Sequence, residues 1–233
     1  AGGKFNKREG NSAYAFSGGL HGVGVAVTNA LSTRVEVEVR REGRVHAVVF
    51  SEGGERVSTM AITGDCGRQT GTRVRVWPDP KYFDSPKVPQ AEMERLLRSK
   101  AVLLPGVAVM LDVEQADGSM PSKTWRYPDG LAGYLAEVAA GQEAVAPIYA
   151  AEQYASGDDE SFAEGEGAAW ALGWFAETIG SESYVNLIPT VAGGTHESGL
   201  RGGVFEAVKS FIEHHALLPR GVKLQQEDVC GRM

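Results

Sequence analysis

The amino-acid sequence predicts an α+β fold, in which antiparallel strands and amphipathic helices occupy separate stretches of the chain. Over Val35–Val39, valines alternate with charged residues, the period of two that places one face of a strand against a core and the other in water. Over Gln90–Leu104, and again over Glu197–His215, apolar residues recur at helical spacing. A glycine-rich stretch, Gly18–Gly24, precedes the strands and leads directly into an apolar segment that is compatible with a helix.

We expect the first half of the chain to form one helix and an antiparallel meander. The helix covers Val25–Leu31. Strand-like runs follow it, separated by glycine-containing turns, and the last of them is stopped by Pro78. These runs are Arg34–Arg40, Arg44–Phe50, Arg56–Ile62 and Thr72–Trp77. In a meander, strands that are neighbours in sequence pair, so we expect a sheet with one covered face and one wet face.

The second half is predicted to mix helices and short strands. The helix Gln90–Leu104 ends at Pro105, and Asp129 is a candidate N-cap for a helix that runs through Ala140. The glutamate-containing run Glu197–His215 is the last clear helix. Strands are expected at Val107–Val113, Thr124–Tyr127, Ala168–Ala176 and Ser183–Pro189.

Two polar features of this half resemble metal-binding sites, but we interpret neither of them as one. The acidic stretch Ala155–Gly167 lacks the order of a calcium-binding loop, and it predicts a solvated loop because it has little to pack. The pair His214 and His215 would face different directions on a helix, so it suits the negative end of the helix dipole better than a metal site.

The glycine-rich stretch indicates a phosphate cradle. Its glycines permit positive φ and leave backbone N–H groups accessible, and the following helix would point its positive end at a bound anion. A P-loop needs Lys-Ser/Thr where Val25 and Ala26 stand, and a dinucleotide fingerprint needs a third glycine where Val27 stands. The order is instead G-x-x-G-x-G, ending at Gly24. A plain turn before a packed helix remains the alternative.

Composition excludes several classes of protein. The chain has 233 residues, of which 42% are hydrophobic, and this is an ordinary globular composition. Its formal charge of -7 argues against gripping DNA by bulk electrostatics. Neither a membrane-spanning apolar run nor the apolar core of a signal peptide is present, so no membrane partner and a cytoplasmic location are expected. Cys66 and Cys230 lack the spacing of a zinc site and are expected to be reduced thiols.

The first fifteen residues show no helical or strand period, which indicates a mobile loop. Beside a phosphate cradle such a loop could act as a lid, with Lys4 supplying charge and Tyr14 an edge for stacking or hydrogen bonding. The alternative is a frayed terminus with a solvated lysine.

Several runs match a known family: Ala1-Gly2-Gly3-Lys4-Phe5, Ser17-Gly18-Gly19-Leu20-His21-Gly22-Val23-Gly24, Thr70–Pro78 and Tyr184–His196. The first two resemble the ATP lid and glycine box of GHKL ATPases, as spelled in the B subunits of bacterial type IIA DNA topoisomerases. The likeness extends over essentially the whole chain. Further stretches look more like the topoisomerase IV branch than like gyrase: Tyr82–Pro86, Lys100–Val107 and Leu218–Leu224.

The resemblance implies two domains. Residues 1–131 would be the C-terminal part of a GHKL-type ATPase domain, an α/β sandwich that supplies the lid, the glycine box and an antiparallel sheet. Residues 132–233 would be a transducer domain, incomplete at its C-terminus, with a ribosomal-protein-like β-α-β fold.

The resemblance also implies ATP as the ligand. Six residues would surround the triphosphate, largely through backbone N–H groups: Gly19, Leu20, His21, Gly22, Val23 and Gly24. Lys4 and Tyr14 occupy lid positions that contact the nucleotide, and Thr72 matches a strand threonine near the water network at adenine. Ala15 stands where some gyrases have a lysine, so one phosphate contact is in doubt.

The same resemblance assigns this chain no catalytic residue and no metal ligand. It places the glutamate that activates water, the asparagine that holds Mg²⁺ and the aspartate that reads adenine upstream of the lid. It places the lysine of a Gln-x-Lys loop, which reaches the γ-phosphate, after Met233. We therefore expect the 233-residue polypeptide alone not to hydrolyse ATP.

For the parent protein, the resemblance implies the ATP-binding subunit of a type II DNA topoisomerase. ATP binding and hydrolysis would close a dimer gate and drive strand passage, decatenation and relaxation. The implied partners are the A subunit of topoisomerase IV, DNA as the substrate of the holoenzyme, and a second B subunit. The alternatives are an inactive structural or interaction fragment and the B subunit of gyrase.

Overall fold

A computed structural model describes residues 23–85, 87–156, 162, 166–219 and 221–233. The chain divides into two compact units, Ala1–Pro89 and Gln90–Met233. Each unit contains helices and antiparallel strands, so the predicted α+β class is confirmed. The division between compact units at residues 89 and 90 does not test the domain boundary expected at Leu131, which stays a prediction.

From residue 23 onward, the first unit contains one short α-helix and a five-stranded antiparallel sheet. Its elements are α1 (Gly24–Ala30), β1 (Ser32–Arg41), β2 (Arg44–Ser51), β3 (Arg56–Val57), β4 (Ala61–Asp65) and β5 (Gly71–Pro78). Turns of 3-10 helix cover Glu52–Gly54 and Pro80–Tyr82. The predicted helix and the strands β1, β2 and β5 all lie where the sequence pattern places them.

The predicted meander is wrong in one respect, the position of β5. A meander would pair β5 with β4, but the strand order is β3-β2-β1-β5, with β4 also on β2. The chain therefore crosses the β1–β2 hairpin after β4, and β5 lies on the opposite edge of β1.

Complementary side chains on both faces of the two strands explain this position. On one face Glu36 lies opposite Arg75, and Glu38 lies opposite Arg73. The closest charged atoms of these pairs are 3.7 and 4.0 Å apart. On the other face valine lies opposite valine, as in the pair Val37 and Val74. Opposite charges and β-branched residues in cross-strand pairs each favour pairing, so the observed register of β1 and β5 is favourable on both faces.

The predicted strand Arg56–Ile62 is interrupted. β3 and β4 both pair with the same edge of β2, and the break between them falls at Ser58–Met60. At this break the Ser58 N–H donates to the Val49 carbonyl at 2.8 Å, and the Val49 N–H donates to the Ser58 hydroxyl at 3.0 Å. Between β3 and β4 the chain leaves the hydrogen-bonding pattern of the sheet, so the Ser58 hydroxyl takes the place of a backbone carbonyl as acceptor.

The turn after β2 holds the end of α1 against the sheet. Gly53 has φ of 68°, and a Cβ at this position would lie 3.1 Å from the backbone oxygen of Ala30. The Ser32 hydroxyl donates to the Thr28 carbonyl at 2.6 Å, which ties the helix end to the start of β1. The position of α1 therefore depends on a glycine in this turn.

Gly53→Ala is expected to lower the free energy of unfolding by about 2 kcal/mol. About 1 kcal/mol comes from the left-handed backbone, and a similar amount comes from pressing the new methyl group against the rigid Ala30 carbonyl. Gly67→Ala is the matched control, because Gly67 has φ of 56° but a Cβ there meets no atom within 4 Å. Urea unfolding followed by circular dichroism measures both variants. Equal losses would show that the turn does not press on α1.

The second unit contains four helices and six strands among the residues that the structure describes. Its elements are α2 (Gln90–Leu103), β6 (Val109–Asp112), β7 (Ser122–Trp125), α3 (Gly130–Val138), β8 (Tyr149–Tyr154), β9 (Gly167–Leu172), β10 (Tyr184–Val185), β11 (Ile188–Pro189), α4 (Thr195–His214) and α5 (Gln226–Cys230). The strands form three antiparallel hairpins: β6–β7, β8–β9 and β10–β11.

The core of this unit lies where α2, α3 and the end of β7 meet. Ala101 and Val102 of α2 and Tyr127 are almost inaccessible to solvent. Leu131 and Tyr134 of α3 pack against them. The apolar residues of α2 thus face the core, as its helical periodicity predicts.

Several local predictions for this unit need correction. Asp129 does occupy the N-cap of α3, but its side chain makes no capping hydrogen bond. The single strand expected at Ser183–Pro189 is a hairpin, because Asn186 and Leu187 adopt positive φ and turn the chain. The strand β8 and the helix α5 were not predicted. Most of the acidic loop expected at Ala155–Gly167 lies outside the described residues.

No helix in the described part of the chain combines the length and apolar character needed to cross a lipid bilayer.

Candidate functional site

The predicted nucleotide site falls mostly on residues that the structure does not describe. These residues are Lys4, Tyr14, Gly19, Leu20, His21 and Gly22. Val23, Gly24 and Thr72 of the predicted set are described. The first two lie at the start of α1, and Thr72 lies at the start of β5.

No described atom crowds the first glycine of α1. Val23 is the N-cap, and its carbonyl accepts from the Val27 N–H at 2.9 Å. Among the described residues, a Cβ placed on Gly24 would meet no atom within 4 Å. Val25 is 66% exposed. The role of Val23 and Gly24 in phosphate binding remains a prediction.

Thr72 lies on the exposed edge strand β5 and pairs with Val39 of β1. The other end of β5 pairs at Pro78 with Ser32, directly after α1. Six residues of strand span about 20 Å, so Thr72 lies far along the sheet from that junction. Its predicted place beside adenine remains a prediction.

Within the part of the chain that the structure describes, no three His, Cys, Asp or Glu side chains come together in a way that could hold a metal ion. His214 is the last residue of α4 and His215 is its C-cap.

A cleft of about 590 Å³ lies in the second unit, and the sequence analysis did not predict it. We call it the Arg98 cleft. One wall is a polar stripe of α2, and the others come from β7, α3 and β10. Its walls include Arg95, Arg98, Trp125, Tyr134, Glu182 and Tyr184.

Glu182 joins two tyrosines on the wall of this cleft. The Tyr134 hydroxyl donates to one carboxylate oxygen at 2.8 Å, and the Tyr184 hydroxyl donates to the other. Burial and the bond to Glu182 raise the pKa of Tyr134 to about 12. The same two causes raise the pKa of Tyr184. Both phenols therefore stay protonated and remain donors at neutral pH.

Arg98 contacts three aromatic or acidic side chains around the cleft. Its Nε donates to the Tyr127 hydroxyl at 3.0 Å, and its Nη2 lies 2.6 Å from a carboxylate oxygen of Glu137. Its guanidinium carbon lies 4.8 Å from the centre of the Tyr134 ring, in cation–π geometry. The planar guanidinium is thus fixed by two bonds and one ring face.

The sequence contains one pattern that is compatible with this cleft but does not identify it. Ala91, Glu94, Arg95, Arg98 and Ser99 recur at three- and four-residue spacing, which places them on one face of α2. The stripe alone does not indicate a cleft, because its partners Tyr134 and Glu182 lie far away in sequence.

The Tyr134–Glu182 bond gives a testable dependence on pH. The ordinary pKa of tyrosine is about 10, and the raised value in the fold means that the bond stabilises the fold fully below that pH. This contribution is lost as the pH rises through about 12. We expect ultraviolet difference titration to show late-ionising phenols, and Tyr134→Phe to lower the amplitude of that late phase by one tyrosine while the late ionisation of Tyr184 remains. An unchanged late phase in the variant would contradict the assignment.

Comparison with known proteins identifies related chains. A family model described as DNA gyrase B matches residues 130–233. The B subunit of DNA topoisomerase 4 from Escherichia coli (strain K12) is 46% identical over 235 residues, which cover 100% of this chain and 35% of the relative. The corresponding subunit of Pseudomonas aeruginosa is 44% identical over 236 residues, with the same coverage of 100% and 35%. The chain thus spans about a third of the length of these relatives.

Solved structures show the same relationship. The topoisomerase IV ATP-binding domain of Francisella tularensis, in complex with a small-molecule inhibitor, superposes with a TM-score of 0.62 at 32% identity. This match covers 93% of this chain and 57% of that one. The 43K ATPase domain of Thermus thermophilus gyrase B, in complex with an aminocoumarin, gives 0.69 at 26% identity and covers 89% and 55%.

Proposed function

We propose that this chain is part of the ATP-binding subunit of a bacterial type II DNA topoisomerase, of the topoisomerase IV type, and the match of residues 130–233 to a family model described as DNA gyrase B supports this. One observation carries the proposal: the chain aligns over its full length with the B subunit of DNA topoisomerase 4 at 46% identity. Residues 1–131 would then end an ATPase domain, and residues 132–233 would begin the transducer domain.

In this proposal the glycine-rich segment binds the triphosphate of ATP. Residues 19–24 present backbone N–H groups, Lys4 and Tyr14 cover the nucleotide from the lid, and Thr72 lies on the adenine side. The open space around Gly24 supports the proposal, since a ligand can approach its backbone without displacing any described side chain. ATP supplies the phosphoanhydride whose hydrolysis drives the cycle, and Mg²⁺ would be held by residues outside this chain.

The proposed partners follow from the same assignment. The protein would act in the cytoplasm with the A subunit of topoisomerase IV, and ATP would bring two B subunits together around a DNA segment. The acidic charge of this chain, -7, fits a part that couples nucleotide to motion and does not wrap DNA.

The full-length subunit, reconstituted with its A subunit, is expected to unlink catenated DNA circles and relax supercoils only when ATP and Mg²⁺ are present. Gel electrophoresis of kinetoplast or plasmid catenanes measures the product. The matched control is a reaction with a non-hydrolysable ATP analogue, which should allow at most one round of strand passage per enzyme.

Two results would contradict this proposal. ATP-driven negative supercoiling of relaxed plasmid would move the assignment to gyrase. Unlinking that proceeds equally without ATP would remove the role of this subunit in coupling.

A further inference from the structure

Helix α2 precedes the matched family domain and yet belongs to the same compact unit. It is also the first long element after β5, the strand that carries Thr72, and the segment Asp79–Pro89 joins the two. The covalent path from the sheet of the first unit to residues 130–233 therefore runs through α2. The contacts between α2 and residues 130–233 determine how firmly this helix is held to them.

Arg98 makes the most specific of these contacts. It holds Tyr127, which precedes the family domain, and at the same time Glu137 and Tyr134, which lie inside the family domain on α3. A guanidinium bound in this way fixes both the distance and the orientation of two helices. The side chains of Arg98 and Glu137 are 33% and 55% exposed, so this ion pair contributes little to stability. The ion pair therefore affects the relative position of α2 and α3 more than the stability of the fold.

The contact continues into the β10–β11 hairpin. Tyr134, which lies under the Arg98 guanidinium, donates to Glu182, and Glu182 also accepts from Tyr184 at the start of β10. A second link is direct, because the Lys100 ammonium group donates to the carbonyl of Leu187 in the hairpin turn. Leu187 has φ of 70°, a conformation that is unfavourable for leucine and persists only where neighbouring groups hold it.

We propose that Arg98 is a positioning residue that transmits the movement of the ATPase segment to the family domain, by fixing α3 and, through Tyr134 and Glu182, the β10–β11 hairpin to α2. The proposal rests on the function proposed above. It predicts that Arg98 affects how efficiently ATP hydrolysis is converted into strand passage and has little effect on nucleotide binding.

The test pairs the full-length subunit with its A subunit. It measures DNA links removed per ATP hydrolysed. Arg98→Met keeps the side-chain volume and removes the charge and the donors. We expect links per ATP to fall about five-fold or more, the range of ordinary allosteric coupling, with KM for ATP changed less than about two-fold.

Arg95→Met is the matched control. Arg95 lies one turn earlier in the same cleft and makes no hydrogen bond or ion pair within the described residues. The number of DNA links removed per ATP should therefore stay unchanged in Arg95→Met.

A second variant, Glu137→Gln, keeps the partner's shape and weakens only the charge. It should lower the ratio in the same direction and by less. A ratio that is unchanged in both variants overturns the proposal. It is also overturned if hydrolysis and unlinking fall together with a constant ratio, because that result indicates a structural role only.

Hydrogen exchange of the α3 amides provides a readout that needs no DNA. With a non-hydrolysable ATP analogue, we expect protection of α3 to change in the wild type and in Arg95→Met and not in Arg98→Met. The same change in all three proteins overturns the role of Arg98. A wild type that binds the analogue but does not unlink DNA refutes the proposed function, while the exchange experiment still decides the role of Arg98.

Discussion

Gly22→Val in the full-length subunit is expected to weaken binding of a non-hydrolysable ATP analogue by about 100-fold or more. The proposed cradle works through backbone N–H groups, and a β-branched side chain both blocks their approach and disfavours the backbone conformations that glycine permits. Loss of two hydrogen bonds to phosphate, at about 1.5 kcal/mol each, amounts to about 3 kcal/mol, which is about 100-fold in affinity. Isothermal titration calorimetry measures the change.

Two controls make this result specific. Leu20→Met should change the affinity little, because the loop presents backbone and not side chains. Gly24→Ala should leave stability unchanged or slightly raised, since its Cβ meets no described atom and alanine favours helix. If Gly24→Ala nevertheless lowers affinity, the loss is due to the ligand and not to misfolding. Equal affinities of wild type and Gly22→Val would mean that the loop is only a turn.

The second large effect concerns the 233-residue polypeptide on its own, which we expect not to hydrolyse ATP above background. Holding phosphates is insufficient, because hydrolysis also needs a general base and a metal-bound triphosphate. The family resemblance places both outside these residues, whereas the full-length subunit should hydrolyse ATP under the same conditions. A phosphate-release assay with and without Mg²⁺ measures both proteins.

The control for contaminating ATPase is the Gly22→Val form of each polypeptide. Phosphate release by the 233-residue polypeptide that requires Mg²⁺ and disappears in its Gly22→Val form would refute the expectation and would place a catalytic base within this chain.

Alternation of valine and charge predicted the strands β1 and β5, and a run of β-forming residues predicted β2, because both are local properties of the sequence. Neither predicted that β5 lies beside β1. That choice depends on matching Glu36 with Arg75 across strands that are distant in sequence. The strand β8 was missed because its residues, Tyr149–Tyr154, do not alternate. The helix α5 was missed because five residues are too few to show a period, although Gln225 and Asp228 form a capping box.

The two sites differ in how far sequence could reveal them. The glycine-rich segment is contiguous, so its order alone indicates a phosphate cradle, and residues 130–233 match a family model described as DNA gyrase B. The Arg98 cleft combines α2 with Glu137 and Glu182, which are brought together only by folding. A polar face of a helix is expected both where the helix is exposed to solvent and where it forms the wall of a cleft. The sequence therefore could not distinguish the two.

The pairing of β1 with β5 also bears on solubility. Among the described strands, none pairs with the outer edge of β5, and Val74 on this strand is 53% exposed. Such an edge is a template on which a second copy could add its own strand. In an antiparallel pair centred on Val74, Arg73 of one copy would lie opposite Arg75 of the other, and like charges placed opposite each other are unfavourable. The two arginines that select β1 as a partner therefore also act as gatekeepers against edge-to-edge aggregation.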